Sequence, residues 1–344
     1  MKVSIAIVLF AALELFVDCA DIRLFGCKVT QPECPNTDIT FFLYTRDTQD
    51  DPVQLDLSDP SSVIRANYAI DRPLKVLIHG FTGDKDFSPN SHLRPAYFEH
   101  GDYNIISVDY KELAKSPCYL SAVRNLQTVA NCTAQLINYF IDQNIFILDV
   151  IHVIGFSLGA QVAGMVANYM PEGRNLRRIT GLDPAKPLFI NVGSDGRIDS
   201  SDADFVDIIH TDVFDRGLLV PLGDVDYYVN GGFNQPGCYE QIELSPGSCN
   251  HDRAPTYYAE SINSEEGFWG FQCAHWYLYV LGVCRKEDDD TLSLMGEYAN
   301  DTSRGLYFLS THKESPYARG KDFSSNNWAF SSWFAGTDVD RNQI

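Results

Sequence analysis

Residues 149–164 have the sequence DVIHVIGFSLGAQVAG, and they decide the fold of this chain. The first part is apolar and β-branched, with the length of a buried strand, and residues 155–159 fit the pattern G-x-S-x-G. That pattern places a serine on a sharp turn between a strand and a helix. Because a serine hydroxyl is a weak nucleophile, the turn must present it to a base and to backbone N–H donors. We therefore predict that Ser157 is a nucleophile; an ordinary strand-to-helix turn is the alternative.

The flanking sequence predicts a mostly parallel sheet. Strand-like apolar runs alternate with helical spacing, which is typical of α/β proteins with helices on both faces of the sheet. Strands are predicted at residues 74–78, 104–108, 150–154, 178–182, 205–209 and 305–309, and a long helix at 120–143. Glycine-rich residues 217–250 are predicted to be loops, and the chain after Lys286 is predicted to be irregular apart from the last strand. Together with the serine turn, this order predicts an α/β-hydrolase fold.

The catalytic acid and base should follow the serine, in the order Ser, Asp or Glu, His. Ligand sites lie at the carboxyl ends of parallel strands, and Asp183 ends the strand after Ser157. Asp212, one strand later, is the rival acid. The candidate bases are the four histidines that follow the acid, His210, His251, His275 and His312. We favour His251, on a loop next to Cys249, because the others lie at a strand end, in an apolar stretch or in the polar tail.

Two backbone N–H groups are needed to bind the oxyanion of a tetrahedral intermediate. One is expected from Leu158, the residue after the nucleophile, and the other from a loop after an earlier strand. Residues 79–81, His-Gly-Phe, follow the first strand of the α/β pattern and make Phe81 the second candidate. A plain turn at the end of that strand is the alternative.

The N-terminus and the cysteines predict a secreted protein. In residues 1–19 a lysine precedes an apolar run that is too short to span a bilayer, which is typical of a signal peptide; residues 20–344 are then expected to form one domain. Eight of the nine cysteines follow residue 19, and this even number predicts extracellular disulfides. Glycosylation sequons occur at Asn131 and Asn300. The net charge of −20 disfavours nucleic acid and anionic membranes as partners, and no transmembrane segment is expected.

Six ordered motifs resemble the pancreatic (neutral) lipase family, especially its insect members and the wasp-venom A1-type phospholipases. The motifs are IHGF (78–81), GFSLGA (155–160), TGLDPA (180–185), IHTD (209–212), NQPGC (234–238) and CNHDRA (249–254), and the match extends to SPYARG (315–320). The resemblance implies a triad of Ser157, Asp183 and His251, with Phe81 and Leu158 as oxyanion donors. It implies no required cofactor.

Three departures from the family pattern bear on function. The serine turn reads Gly-Phe-Ser where pancreatic and venom enzymes usually have Gly-His-Ser, although Phe is common in insect members. Too few residues follow the catalytic domain to form the C-terminal β-sandwich of pancreatic lipase, so no colipase partner is expected. The third departure is the short lid, described below.

A calcium site is suggested by residues 197–202, RIDSSD, which resemble the calcium loop of the family. Arg197, Asp199 and Asp202 are the candidate residues, since carboxylate and carbonyl oxygens suit calcium. An acidic turn without a metal is the alternative.

The disulfide predictions have different bases. By resemblance, Cys238–Cys249 closes the lid loop and Cys34–Cys118 is similar to a bridge of the venom enzymes. Local spacing favours Cys273–Cys284. Cys27–Cys132 then remains by elimination.

These features predict a secreted serine carboxylic-ester hydrolase that acts on glycerolipids at a lipid surface. Only ten residues separate Cys238 from Cys249, where triglyceride lipases of the family have a much longer lid. A short lid leaves the cleft open to a polar head group, which favours the sn-1 ester of phospholipids, a phospholipase A1 activity. A neutral triacylglycerol lipase is the first alternative. A catalytically silent, lipid-binding or yolk-like protein of the same fold is the second; it predicts a broken triad, whereas all three positions are intact here. A peptidase on the same fold is the third.

Overall fold

The computed structural model describes residues 26–238, 246–284 and 291–323, with the backbone alone for 246–248. The predicted signal peptide and lid residues 239–245 lie outside the described residues. Among the described helices, none has both the length and the apolar character needed to cross a bilayer.

One sheet organises the described chain. Its strands are β1 (Thr40–Tyr44), β2 (Val53–Leu55), β3 (Leu74–Ile78), β4 (Asn104–Asp109), β5 (Ile151–Phe156), β6 (Arg178–Leu182), β7 (Val206–His210), β8 (Val225–Val229), β9 (Phe268–Gln272), β10 (Leu292–Met295) and β11 (Gly305–Leu309). Their spatial order is β10-β9-β11-β8-β7-β6-β5-β3-β4-β1-β2. The strands from β11 to β4 are parallel, and an antiparallel pair borders them on each edge. The predicted α/β-hydrolase architecture is confirmed.

Helices cover both faces of this sheet. They are α1 (Pro60–Arg65), α2 (Asn90–His100), α3 (Tyr119–Asp142), α4 (Leu158–Met165), α5 (Pro246–Asn263) and α6 (Trp276–Val280). Neighbouring residues of β3 belong to different cores, because side chains alternate along a strand. Val76 packs with α3 and α4, whereas Leu77 packs with α2 and α5. The central strands are therefore buried on both faces, as their continuous apolar runs indicate.

The prediction of loops for residues 217–250 is wrong at two places. Val225–Val229 is a buried strand that pairs with β7 and β11, and α5 begins at Pro246. The segment after Lys286 contains β10 in addition to the predicted last strand. Asp226 and two tyrosines interrupt the apolar run of β8, so the sequence does not distinguish this strand from the glycine-rich segment around it.

Two of the four predicted disulfides are confirmed and two are wrong. Cys238–Cys249 and Cys273–Cys284 are formed as predicted. The structure replaces the predicted Cys34–Cys118 and Cys27–Cys132 with Cys27–Cys118 and Cys34–Cys132, both with Cα atoms 5.3 Å apart.

The direction of the N-terminal segment explains the correct pairing. This segment runs alongside α3 in the same direction, and Asn125 in the middle of that helix bonds the N–H of Thr30 and the carbonyl of Lys28. From Cys118 to Cys132 the helix rises about 21 Å, and the seven residue steps from Cys27 to Cys34 can span up to about 23 Å. The predicted pairing would need the segment to run in the opposite direction.

Candidate active site

Ser157 lies on a sharp turn between β5 and α4. Its φ of 57° and ψ of −118° are rare for a residue with a side chain, and this backbone directs the serine out of the strand. The two flanking glycines are required by space. A Cβ on Gly155 would lie 2.0 Å from the Gly159 carbonyl oxygen, and one on Gly159 would lie 2.2 Å from the carbonyl oxygen of Ile78. The predicted strand, turn and helix are confirmed.

Asp183 and His251 form a hydrogen-bonded pair beside this turn. Asp183 is fully buried at the end of β6, whose last residue accepts a hydrogen bond from the Ser157 N–H at 3.0 Å. One Asp183 carboxylate oxygen, Oδ1, accepts the N–H groups of Thr211 and Asp212 at 2.8 and 3.1 Å. The other, Oδ2, lies 2.5 Å from His251 Nδ1. These contacts fix the imidazole so that Nε2 is the nitrogen available to exchange a proton.

His251 lies on α5 and not on the loop that the sequence predicted. Its ring contacts the ring of Phe156, the residue before the serine, with centroids 4.5 Å apart. Within the described residues there is no hydrogen bond between Ser157 and His251. Such bonds are often long in the absence of substrate and shorten when substrate binds.

The other candidate histidines do not reach Asp183. His210 is buried, lies 2.8 Å from both Asp226 and the Leu218 carbonyl, and stacks on Tyr228. His275 and His312 are exposed. The structure therefore brings together Asp183 and His251, as predicted, and gives His210 a packing role.

Asp212, the rival acid, lies in the same cluster. The carboxylate and imidazole ligand atoms of Asp183, Asp212 and His251 all lie within 4.8 Å of one another. Burial raises the pKa of Asp212 to about 7, and the negative charge of Asp183 adds to this effect, whereas His251 opposes it. Because backbone N–H groups and His251 already occupy both oxygens of Asp183, we interpret the cluster as an acid–base group and not as a metal site.

The candidate oxyanion loop passes directly over the serine. A Cβ on Gly80 would lie 2.8 Å from the Cβ of Ser157, so only glycine permits this approach. In the part of the chain that the structure describes, the N–H groups of Phe81 and Leu158 donate to no protein acceptor. Both groups are thus available to a negatively charged oxygen next to the serine.

Buried His79 fixes the backbone of the oxyanion loop. Its Nδ1 lies 2.8 Å from the Gly80 carbonyl, and its Nε2 accepts the Tyr110 N–H at 3.2 Å. The two rings stack with centroids 4.1 Å apart. Burial lowers the pKa of His79 and so keeps the imidazole neutral. In this neutral ring Nδ1 donates to the Gly80 carbonyl, and Nε2 accepts from Tyr110.

Comparison with known proteins agrees with this geometry. A family model described as Lipase matches residues 18–317. The chain belongs to the lipase family. It is 33% identical over 304 residues to the human inactive pancreatic lipase-related protein 1, 33% over 305 residues to mouse pancreatic triacylglycerol lipase, and 35% over 295 residues to guinea pig (Cavia porcellus) pancreatic lipase-related protein 2.

These lipase relatives are longer than this chain. Each alignment covers 81% of this chain and 64% or 65% of the relative. One relative is named inactive although it is as similar as a named triacylglycerol lipase. Membership of the family therefore does not by itself establish catalysis, and the site geometry has to support it.

A buried amide of this lipase-family chain supports the acid, and sequence reasoning missed it. The Gln235 side-chain amide donates to the Thr211 carbonyl at 3.0 Å, and Thr211 in turn binds Asp183. The Gln235 N–H donates to Asn250 at 2.8 Å, next to His251. Gln235 and Asn250 both lie inside motifs that carry the family resemblance. These motifs are the sequence feature that could have revealed their role.

The candidate calcium loop packs on the helix that follows the serine. A Cβ on Gly164 of α4 would lie 2.5 Å from an Asp202 carboxylate oxygen. Asp199 Oδ2 is buried without a protein partner. Burial raises the pKa of Asp202 to about 8, and nearby Asp199 and Asp195 add to this. Two close, poorly solvated carboxyl groups and an unpartnered oxygen fit a bound cation.

Proposed function

We propose that this protein is a secreted serine carboxylic-ester hydrolase of glycerolipids. The observation that carries the proposal is the buried hydrogen bond between Asp183 and His251, next to the strained turn that presents Ser157. Nucleophile, base and acid follow the chain order of α/β-hydrolases. Extracellular location is supported by four disulfides and by the apolar N-terminal sequence.

Each residue has a defined step in this mechanism. His251 takes the proton from Ser157 Oγ as that oxygen attacks the ester carbonyl, and Asp183 stabilises the imidazolium that forms. The N–H groups of Phe81 and Leu158 bind the oxyanion of the tetrahedral intermediate. His251 then protonates the leaving alcohol, and it later activates a water molecule that releases the fatty acid from Ser157.

Phospholipid is the proposed substrate class, with cleavage at the sn-1 ester. The support is the loop of ten residues between Cys238 and Cys249, which the disulfide closes. A loop of this size has little surface with which to shield the cleft, so a polar head group can enter. Triacylglycerol lipase activity is the second candidate, because one relative is named a pancreatic triacylglycerol lipase.

Calcium is proposed as a structural ion held by Asp199 and Asp202, with Arg197 next to the site. It would neutralise the two carboxyl groups and stabilise the loop against α4. None of the catalytic steps requires it.

A fluorophosphonate label tests the nucleophile. We expect the reagent to modify Ser157 covalently, as found by peptide mass mapping, because it reacts with serines activated by a base. Ser157→Ala should abolish labelling and lower ester hydrolysis by several orders of magnitude. Exposed Ser58→Ala is the matched control and should label normally. Labelling of another serine, or none in folded protein, would refute the proposal.

A further inference from the structure

The loop between Cys273 and Cys284 contains no Asp, Glu, Lys or Arg, and the uncharged run begins already at Gly267. The whole chain carries a net charge of −20. The loop includes α6 and presents Tyr277, Leu281 and Val283 to solvent, with fractional exposures of 56%, 58% and 62%. Aromatic and aliphatic side chains that project from an uncharged loop are suited to a lipid interface.

The outward side chains are separate from those that fold the loop. Tyr279 stacks on Phe308 of β11, with centroids 4.2 Å apart, and Val280 is buried. Leu278 also packs against the buried cluster that contains Phe308. Since these inner residues already attach α6 to the sheet, the exposed apolar residues contribute little to folding.

The loop holds these side chains in a fixed arrangement. The Cys273–Cys284 disulfide closes it. At the end of α6, the Gly282 N–H donates to the Tyr279 carbonyl and the Val283 N–H to the Leu278 carbonyl, both at 2.9 Å, with Gly282 at a φ of +69°. This pair of bonds is a Schellman cap. A preorganised loop loses little conformational entropy when it docks.

The exposed patch continues to the catalytic edge of the sheet. The ring of Trp276 in α6 contacts that of Phe214, with centroids 5.7 Å apart, and the indole N–H donates to the Gly231 carbonyl at 2.8 Å. Phe214 is exposed and lies two residues after Asp212. A membrane that meets the loop therefore also lies beside the acid–base cluster.

We propose that the Cys273–Cys284 loop docks the protein onto a zwitterionic phospholipid surface. This inference rests on the proposed function, because it places the substrate layer next to the active site. The strongly acidic chain gains no attraction from anionic lipid, so an uncharged loop is the surface that can make contact.

The test is binding to vesicles of ether-linked phosphatidylcholine, which an ester hydrolase does not consume. The loop variant is L281S/V283S, and the matched control is I70S/I147S, which removes two exposed aliphatic side chains near the amino ends of β3 and β5. We expect the loop variant to bind at least about tenfold more weakly and the control to bind within about twofold of wild type. Anionic lipid should weaken wild-type binding at low salt.

A soluble short-chain ester separates this inference from the proposed function. Equal hydrolysis by wild type and both double variants would show that the site is intact, and Leu281→Ser alone is the second variant if the double variant does not fold. Vesicle binding without any ester hydrolysis would support the surface and refute the proposed function. The docking surface would be overturned if wild type did not bind, if the loop variant bound equally well, or if binding to anionic vesicles were stronger. It would also be overturned if wild type were a dimer and the loop variant a monomer.

Discussion

At the residue scale, two carboxyl groups lie close to His251, and their surroundings differ. Asp183 receives two backbone hydrogen bonds and the bond from His251. Among the described residues, the Asp212 carboxylate receives one weaker bond, from the Arg216 N–H at 3.3 Å, and its pKa is raised to about 7. We infer that Asp183 orients the imidazole through these bonds, whereas Asp212 titrates in the neutral range.

Asp212→Asn should alter the pH dependence of stability. In the unfolded chain an aspartate has a pKa near 3.9, so between about pH 4 and 7 the folded state holds a proton that the unfolded state has lost. This makes the free energy of unfolding of wild type fall as pH rises through that window. The variant lacks this titration and should gain about 3 kcal/mol relative to wild type between pH 4.5 and 8, measured by urea unfolding.

Exposed Asp51→Asn is the control for this variant and should show no such gain. Esterase activity gives the independent readout. Asp212→Asn should keep activity within about tenfold, whereas Asp183→Asn should lose several orders of magnitude. The reverse order would make Asp212 the catalytic acid.

The elements that sequence predicted best are the central strands. The predicted bounds of Leu74–Ile78, Arg178–Leu182 and Gly305–Leu309 agree with the structure residue for residue. Each contains large apolar side chains and is followed directly by polar residues. Strand Val225–Val229 was missed because Asp226 and two tyrosines interrupt the apolar run. Asp226 accepts the nearby N–H groups of Leu222 and Gly223 and lies 2.8 Å from His210, whereas the Tyr227 hydroxyl bonds Ser293, which is far away in sequence.

In the site, too, sequence identified the residues that lie in local motifs and missed the contacts that depend on parts of the chain distant in sequence. Ser157, Asp183 and His251 lie in recognisable motifs, so chain order and family resemblance were sufficient to propose them as candidates. The N-terminal disulfides depend on the direction in which a segment runs along α3, which spacing does not encode. The support from Gln235 similarly depends on burial.

The loop at residues 194–202 links the proposed calcium site to the catalytic elements. Gln161 of α4 accepts the Ile198 N–H at 3.0 Å and donates to the Ala185 carbonyl at 2.8 Å, next to the turn that carries Asp183. A cation held by Asp199 and Asp202 would thus stabilise both the serine helix and the acid turn.

Millimolar calcium should therefore raise the thermal unfolding temperature by a few degrees, because it binds only the folded loop. Asp199→Asn should remove this response, and exposed Asp51→Asn should keep it. An equal response in the Asp199 variant, or none in metal-free wild type, would exclude the proposed site.

At the scale of the whole molecule, a buried ionic network joins the C-terminal part of the chain to the amino ends of the central strands. Glu297 follows β10 and accepts hydrogen bonds from Lys75 of β3 at 2.6 Å, Tyr97 at 2.6 Å and Tyr258 at 2.7 Å. Burial alone would raise the pKa of Glu297, but Lys75 and Arg178 outweigh it and hold the pKa below its usual value.

Glu297→Gln should destabilise the protein by about 3–5 kcal/mol at pH 7, because Lys75 would remain buried without its counter-charge. The folded pKa of Glu297 is lowered, so its contribution is present above the unfolded value near 4.3 and is lost as pH falls through the folded value. The loss relative to wild type should therefore shrink in acid. Urea unfolding at pH 7 and at lower pH measures it, with exposed Glu172→Gln as the control. A change below about 0.5 kcal/mol would contradict this role.

The most direct test of the whole account is hydrolysis of phosphatidylcholine and triolein, measured side by side through the threshold of aggregate formation. Ser157→Ala serves as the blank for both lipids. We predict fatty acid release from the sn-1 ester of phosphatidylcholine, slower release from triolein and no steep rise in rate at the threshold. The reason is that only ten residues separate the disulfide-bonded Cys238 and Cys249, a span that we propose to be too short to cover the cleft. Negligible phospholipid cleavage with a steep rise on triolein, or no release above the blank from either lipid, would contradict it.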